Sequence, residues 1–167
     1  MIILGVDTSL RSTGYGVIEV IGNKARALDC GVIKNKASLS HSQCLRRLAG
    51  GVEQLISLYK PEQASIEGTF FYKNAKTAMI LGMARGAVVA ELGKMEIPTY
   101  EYAPKKAKLA VTGTGNASKE QVASMIATRL NADISQINDD ATDALALALC
   151  HWQAMQSPGG MMLGKAL

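Results

Sequence analysis

Cysteine is scarce in this chain and long apolar runs are missing. Cys30, Cys44 and Cys150 are odd in number and far apart. They match no zinc spacing and give no disulfide framework, which fits a reducing cytosol and three small buried hydrophobes. No apolar run approaches the roughly 18 residues that would span a bilayer, so no membrane partner is expected. The opening "MIILGVDTSL" has no basic stretch ahead of its apolar residues and carries an acid within them. It reads as a strand, not as a signal peptide. There is no internal repeat. Strong charge of either sign is also lacking: 18 Lys and Arg against 14 Asp and Glu leave a net +4. That balance alone does not imply a nucleic-acid partner.

What is present is enough for one domain. The 167 residues are 48% hydrophobic, which supports a sizeable core. "IILGVDTSL" is a dense apolar run that reads as a central strand with Asp7 near its end. "GYGVIEVIG" and "ARALDCGVIKN" follow as two more strands joined at the turn pair Gly22-Asn23, giving an antiparallel meander. Ser40 and Gln43 form a capping box for a helix whose apolar positions are Leu45, Leu48, Val52, Leu55 and Ile56, and Pro61 ends it. "QASIEG" is a short buried strand carrying Glu67. A long helix rich in small residues covers "KNAKTAMILGMARGAVVAELGK", followed by a strand at "IPTYEYAP". That helix reads as tight packing on the sheet or as a contact with a second copy. A short basic helix then precedes one capped by Ser118 and Gln121. The last helix begins near Asn138 and runs to about Met155. Helices between the later strands require crossover connections, hence a parallel part of the sheet. The expected fold is α/β: a five-stranded mixed sheet with helices on both faces. Residues 1–155 form one domain, and 156–167, with turn residues and no periodicity, form a mobile C-terminal tail.

Four acids stand where this fold would converge them. Asp7 lies in an apolar strand, where an unpaired charge is costly. Glu67 ends the fourth strand. Asp140 and Asp143 are three apart on one helix and share a face. Parallel pairing of the first and fourth strands would bring Asp7 and Glu67 to one edge. Each acid also has a plain structural reading. Asp139 is an N-cap or a solvated neighbour, Asp140 serves equally well as a helix-start acid, and Glu67 could be an exposed strand end. Clustered carboxylates repel by about 4 kcal/mol per pair at 4 Å and an effective dielectric of 20. Some must protonate, or cations must fill the site. An all-oxygen donor set suits Mg²⁺ or Mn²⁺, and two such ions could activate a water and stabilise the leaving oxygen of a phosphodiester. With four acids committed to metal, eighteen basic residues face ten acids, a balance of +8 that would suit a polyanion if gathered on one face.

At this point the chain resembles the RuvC-type Holliday junction resolvases of the ribonuclease H-like superfamily. The matching stretches are "ILGVD", "RSTGYGVI", "SIEGTFFYKNAKTAMILGMARG", "YEYAPKKAKLAVTGTGNASKEQV" and "DDATDALALAL", in family order over nearly the whole chain. The resemblance implies a ribonuclease H-like nuclease domain. It implies a cytoplasmic homodimer that makes paired symmetric nicks in four-way junction DNA, during recombination and repair, beside a branch-migration helicase complex. Asp7, Glu67, Asp140 and Asp143 would be the catalytic residues and the ligands of two Mg²⁺, with Mn²⁺ as a substitute. The Asp-x-x-Asp spacing before "ALALAL" selects Asp140 over Asp139. Phe70 would disturb base stacking at the junction. Lys108 and Lys119 would contact DNA as compact charges. Lys105 and Lys106 fit a solvated helix face.

Two positions depart from the family pattern. Thr8 and Ser9 stand where Pro-Gly usually follows the first aspartate, and Gly68 stands where many members have glutamine. They motivate a junction-binding module without nuclease activity as an alternative. "GVDTSLRSTGYGV" also resembles the phosphate loop of actin-like sugar kinases, but those need a duplicated domain and this chain is too short for one.

Overall fold

The computed structural model describes residues 1–68, 74–133, 137–160 and 162–167. Three strands open the chain, β1 (Ile2–Asp7), β2 (Ser12–Ile21) and β3 (Lys24–Lys34), turning at Gly22 with φ +59°. Then follow α1 (His41–Tyr59), β4 (Gln63–Glu67), α2 (Ala75–Lys94), β5 (Thr99–Tyr102), α3 (Pro104–Thr112), α4 (Lys119–Leu130) and α5 (Asp139–Met155). The sheet order is β3-β2-β1-β4-β5-β6, with β6 at Lys165–Ala166. β1 is antiparallel to β2 and parallel to β4, and β4 is parallel to β5. Asp7 and Glu67 therefore terminate neighbouring strands at the same edge.

The five strands expected from the sequence become six. The extra strand is two residues of the C-terminal stretch, which pair antiparallel with β5 after a 3-10 turn at Pro158–Gly160. Periodicity cannot register so short a strand. Its pairing depends on a free edge of β5, and on Gly164, where a Cβ would lie 2.2 Å from the carbonyl oxygen of Glu101.

Alternation along β1 sends its side chains to two cores. Leu4 and Val6 pack with Val17, Leu48, Val52, Ala84 and Val88 beneath α1 and α2. Ile3 packs with Ile18, Ile126, Leu145 and Leu149 beneath α4 and α5. The capping boxes at Ser40/Gln43 and Ser118/Gln121 are both formed, and Asn138 caps α5 by accepting from the Asp140 amide at 2.9 Å. α5 buries nearly every residue from Ala141 to His151, which explains its apolar sequence. Cys44 and Cys150 are buried, Cys30 is partly covered, and all three are free thiols. Among the described residues no helix is long and apolar enough to cross a membrane.

The imidazole of His151 is fully buried in the core, beside Tyr102. Its Nε2 donates to Gln63 Oε1 at 2.6 Å, leaving Nδ1 to accept from the Tyr102 hydroxyl at 2.7 Å. Tyr100 stacks on the ring at 4.7 Å. Burial pushes the imidazole down to about 4. The unfolded chain thus binds a proton near pH 6.5 that the folded chain refuses until about pH 4. Neutral His151 contributes its full stability above pH 6.5, and that contribution fades towards pH 4 by up to about 3 kcal/mol. Urea unfolding of native protein and His151→Phe should show a stability gap that narrows over this window. A gap independent of pH would contradict the assignment.

Candidate active site

Asp7, Glu67 and Asp143 line one cavity of about 210 Å³, together with Lys108, Pro104, Ala107, Ala146 and Leu147. The end of β1 supplies Asp7, the end of β4 supplies Glu67, α5 supplies Asp143, and α3 supplies Lys108. Asp143 also lines a second, larger cavity of about 510 Å³ shared with Lys119, Glu120, Asp133, Asp139 and Thr142. Asp143 is thus a wall between two hollows. Asp140, one turn earlier on α5, accepts a hydrogen bond from the Ser12 hydroxyl.

The electrostatics follow from crowding. Burial, then the charges of Glu67, Asp143 and Asp140, push Asp7 up to about 7, and its carboxyl hydrogen-bonds Glu67. Burial also raises Glu67, against the hydrogen bond from Asp7, and the charge of Asp143 adds to the rise. Asp143 is raised by burial while Lys119 and Lys108 pull it back. Three sequence-selected acids and Lys108 therefore converge, and Asp140 reaches them through its charge. Among the described residues no group of three or more His, Cys, Asp or Glu is spaced to hold a metal ion. The donor set still fits an oxygen-preferring dication. Asp7 hydrogen-bonds Glu67 and is raised by crowding that such an ion would relieve, and Asp143 faces the same space.

Lys119 is exposed and pairs with Asp139 at 2.8 Å, so Asp139 holds a lysine rather than capping the helix. An exposed pair of this kind is worth little by itself, and Lys119 can trade it for another anion. Lys106 is engaged elsewhere, donating to the Met162 carbonyl at 2.7 Å over the Tyr102 ring. Phe70 lies outside the described residues. The turn after Asp7 is held without Pro-Gly: the Ser9 amide donates to Thr13 Oγ1 at 3.1 Å, and the Thr13 hydroxyl donates back to the Ser9 carbonyl. At Gly68 a Cβ would meet nothing nearer than 3.4 Å, so packing does not account for that glycine.

Two positioning devices escaped the sequence reading. Arg85 of α2 donates from Nη1 to the Glu67 carbonyl and from Nη2 to Glu101 Oε2, each at 2.6 Å. It fixes the strand end that carries Glu67. The second device is glycine. A Cβ on Gly14 would lie 1.9 Å from the Asp140 carbonyl oxygen, and one on Gly5 would lie 2.0 Å from that of Ala144. Gly14 is the cross-strand partner of Asp7. The start of α5 thus rests on bare backbone beside Asp7. The alternating glycines of "ILGVD" and "TGYG" were the available signal.

The fold and site define a ribonuclease H-like α/β domain with carboxylates gathered where two parallel strands end beneath a helix. The family model for the crossover junction endodeoxyribonuclease RuvC matches residues 3–151. The chain belongs to this family. It is 46% identical over 153 residues to the RuvC of Protochlamydia amoebophila, covering 92% of this chain and 91% of that protein. The RuvC of Chlorobaculum parvum is 45% identical, with 90% and 80% covered. The structure of Thermus thermophilus RuvC superposes with a TM-score of 0.87 at 31% identity, over 100% of both chains. The same Thermus protein in complex with a Holliday junction substrate gives 0.89 at 30% identity, over 100% of this chain and 99% of that one.

Proposed function

We propose that this protein is a structure-selective DNA endonuclease that resolves four-way junctions by paired phosphodiester hydrolysis in recombination and repair. The observation that carries the reading is the meeting of Asp7, Glu67 and Asp143 with Lys108 around one cavity, in a chain of the RuvC family. A relative of known structure is described in complex with a Holliday junction substrate.

Asp7, Glu67, Asp140 and Asp143 would hold two Mg²⁺, or Mn²⁺ in their place. When bound, these ions supply an activated water and charge neutralisation at the scissile phosphate. The protein's own residues do the rest. Lys108, inside the cavity, offsets the charge of Asp143 and holds a phosphate. Lys119 contacts the DNA backbone after releasing Asp139. Ser12 orients Asp140, and Arg85 fixes the strand end at Glu67. Phe70 opens the junction centre by wedging between bases. A homodimer places two such sites on one junction, with a branch-migration helicase complex as a further partner. The three free thiols support a reducing, cytoplasmic setting.

The test is nicking of a synthetic four-way junction. Native protein should produce paired symmetric nicks with Mg²⁺, and Asp143→Asn should bind the junction yet nick it on the order of a thousandfold more slowly, the equivalent of about 4 kcal/mol. Equal cleavage by both proteins would end the assignment of Asp143. Tight junction binding by native protein without nicks under any Mg²⁺ or Mn²⁺ concentration would favour a binding module.

A further inference from the structure

The positive charge of this chain is unevenly distributed. Residues 30–52 contain Lys34, Lys36, Arg46 and Arg47 and no Asp or Glu, so this stretch carries +4, as much as the whole chain. It covers the end of β3, the following loop and the first half of α1. Lys34 pairs with Ser12 across β2 and β3, and Asp7 pairs with Gly14 across β1 and β2. The basic stretch therefore emerges at the same edge of the sheet as the carboxylates.

A polar network binds it to the loop that follows Asp7. Arg11 Nη1 donates to the Lys36 carbonyl at 2.7 Å and the Leu39 carbonyl at 3.2 Å. The buried Asn35 amide donates to the Leu10 carbonyl at 2.8 Å and the Cys44 carbonyl at 3.2 Å, and Arg47 Nε donates to Asn35 Oδ1 at 3.2 Å. Lys36, Leu39, Gln43, Arg46 and Arg47 then line a cavity of about 290 Å³. Lys34, Lys36 and Arg46 are exposed, and among the described residues none of them has a carboxylate partner. Cations held together without counter-charge repel one another and are relieved by a polyanion.

We propose that this cavity is a docking surface for the phosphodiester backbone of bound DNA, separate from the contacts of Lys108 and Lys119. The proposal rests on the nuclease reading. Lys36 would act as a point charge and Arg46 as a planar fork on phosphate oxygens. Because the network joins the cavity to Leu10 and Arg11, a strand held there is held in register with the loop behind Asp7. The contact is to backbone, so it carries no sequence preference.

The experiment compares native protein with Lys36→Ala/Arg46→Ala. The control, Lys24→Ala/Lys94→Ala, removes the same charge at the opposite end of the sheet. Dissociation constants for a four-way junction are measured against salt concentration, and single-turnover nicking is measured at saturating protein. The first variant should lower the slope of log affinity against log salt by about 2, at about 0.9 per phosphate contact. The control should keep the native slope and the native nicking rate. Native protein that nicks junctions, with a double variant whose slope is unchanged or falls only as much as the control's, overturns the docking surface and leaves the nuclease reading intact. Native protein that binds no junction overturns both.

Discussion

Asp7→Asn should make the metal-free protein more stable while sharply slowing its nicking. The Asp7 carboxyl is raised to about 7 by burial and by the charges of Glu67, Asp143 and Asp140. An acid raised in the folded state binds its proton between its ordinary value and about pH 7, and the fold carries the full cost of ionising it above that. Asparagine removes the cost. The gain should be about 2–4 kcal/mol at pH 8 and should vanish near pH 4, where native Asp7 is neutral. Urea unfolding in chelator at the two pH values measures it. Adding Mg²⁺ should narrow or reverse the order, because a ligand that binds only the folded state stabilises it by mass action and the variant lacks a donor. Nicking should fall on the order of a thousandfold, as for Asp143→Asn. A variant less stable than native at pH 8 without metal would mean that Asp7 is held by favourable contacts instead.

Gly14→Ala should be among the most damaging single-methyl additions in the chain. Its Cβ would lie 1.9 Å from the Asp140 carbonyl oxygen and 3.0 Å from the Ala141 amide nitrogen. Both are backbone atoms of a helix start, and no rotamer change relieves the overlap. Overpacking of this kind costs about 3 kcal/mol or more. Gly50→Ala is the matched control. It lies within α1 with nothing inside 4 Å of the added methyl, and should gain about 0.5–1 kcal/mol from helix propensity. The urea midpoints of the two variants should therefore move in opposite directions. Whatever Gly14→Ala protein folds should nick slowly, since α5 must lift and carry Asp140 and Asp143 with it. A native-like midpoint for Gly14→Ala would show that the helix has room to yield.

Much of this architecture was legible in the sequence because its signals are local. The Ser40 and Ser118 boxes and the apolar rhythm of α1 depend only on neighbours in the chain, and they reappear where expected. The order of strands and helices required a parallel part of the sheet, and the parallel pairing found there, β1 with β4, sets Asp7 beside Glu67. The non-local features were illegible. The strand at Lys165–Ala166 exists only because β5 has a free edge. Arg85 looks like one more cation on a helix until its reach to the Glu67 carbonyl is known. Asp139 looks like a cap, yet it meets Lys119 from another helix. The glycines of β1 and β2 were visible as residues, but the helix pressing on them was not.

That pressing contact has a mechanical consequence. Where Gly5 and Gly14 meet α5, main chain faces main chain. Main-chain positions are pinned by ladder and helix hydrogen bonds, whereas core side chains hop between rotamers. The spacing between Asp7 and the helix that carries Asp143 is therefore gauged by a hard stop rather than by a cushion. Conservative repacking of Leu145 or Leu149 would change how firmly the helix is clamped, but not how far down it sits.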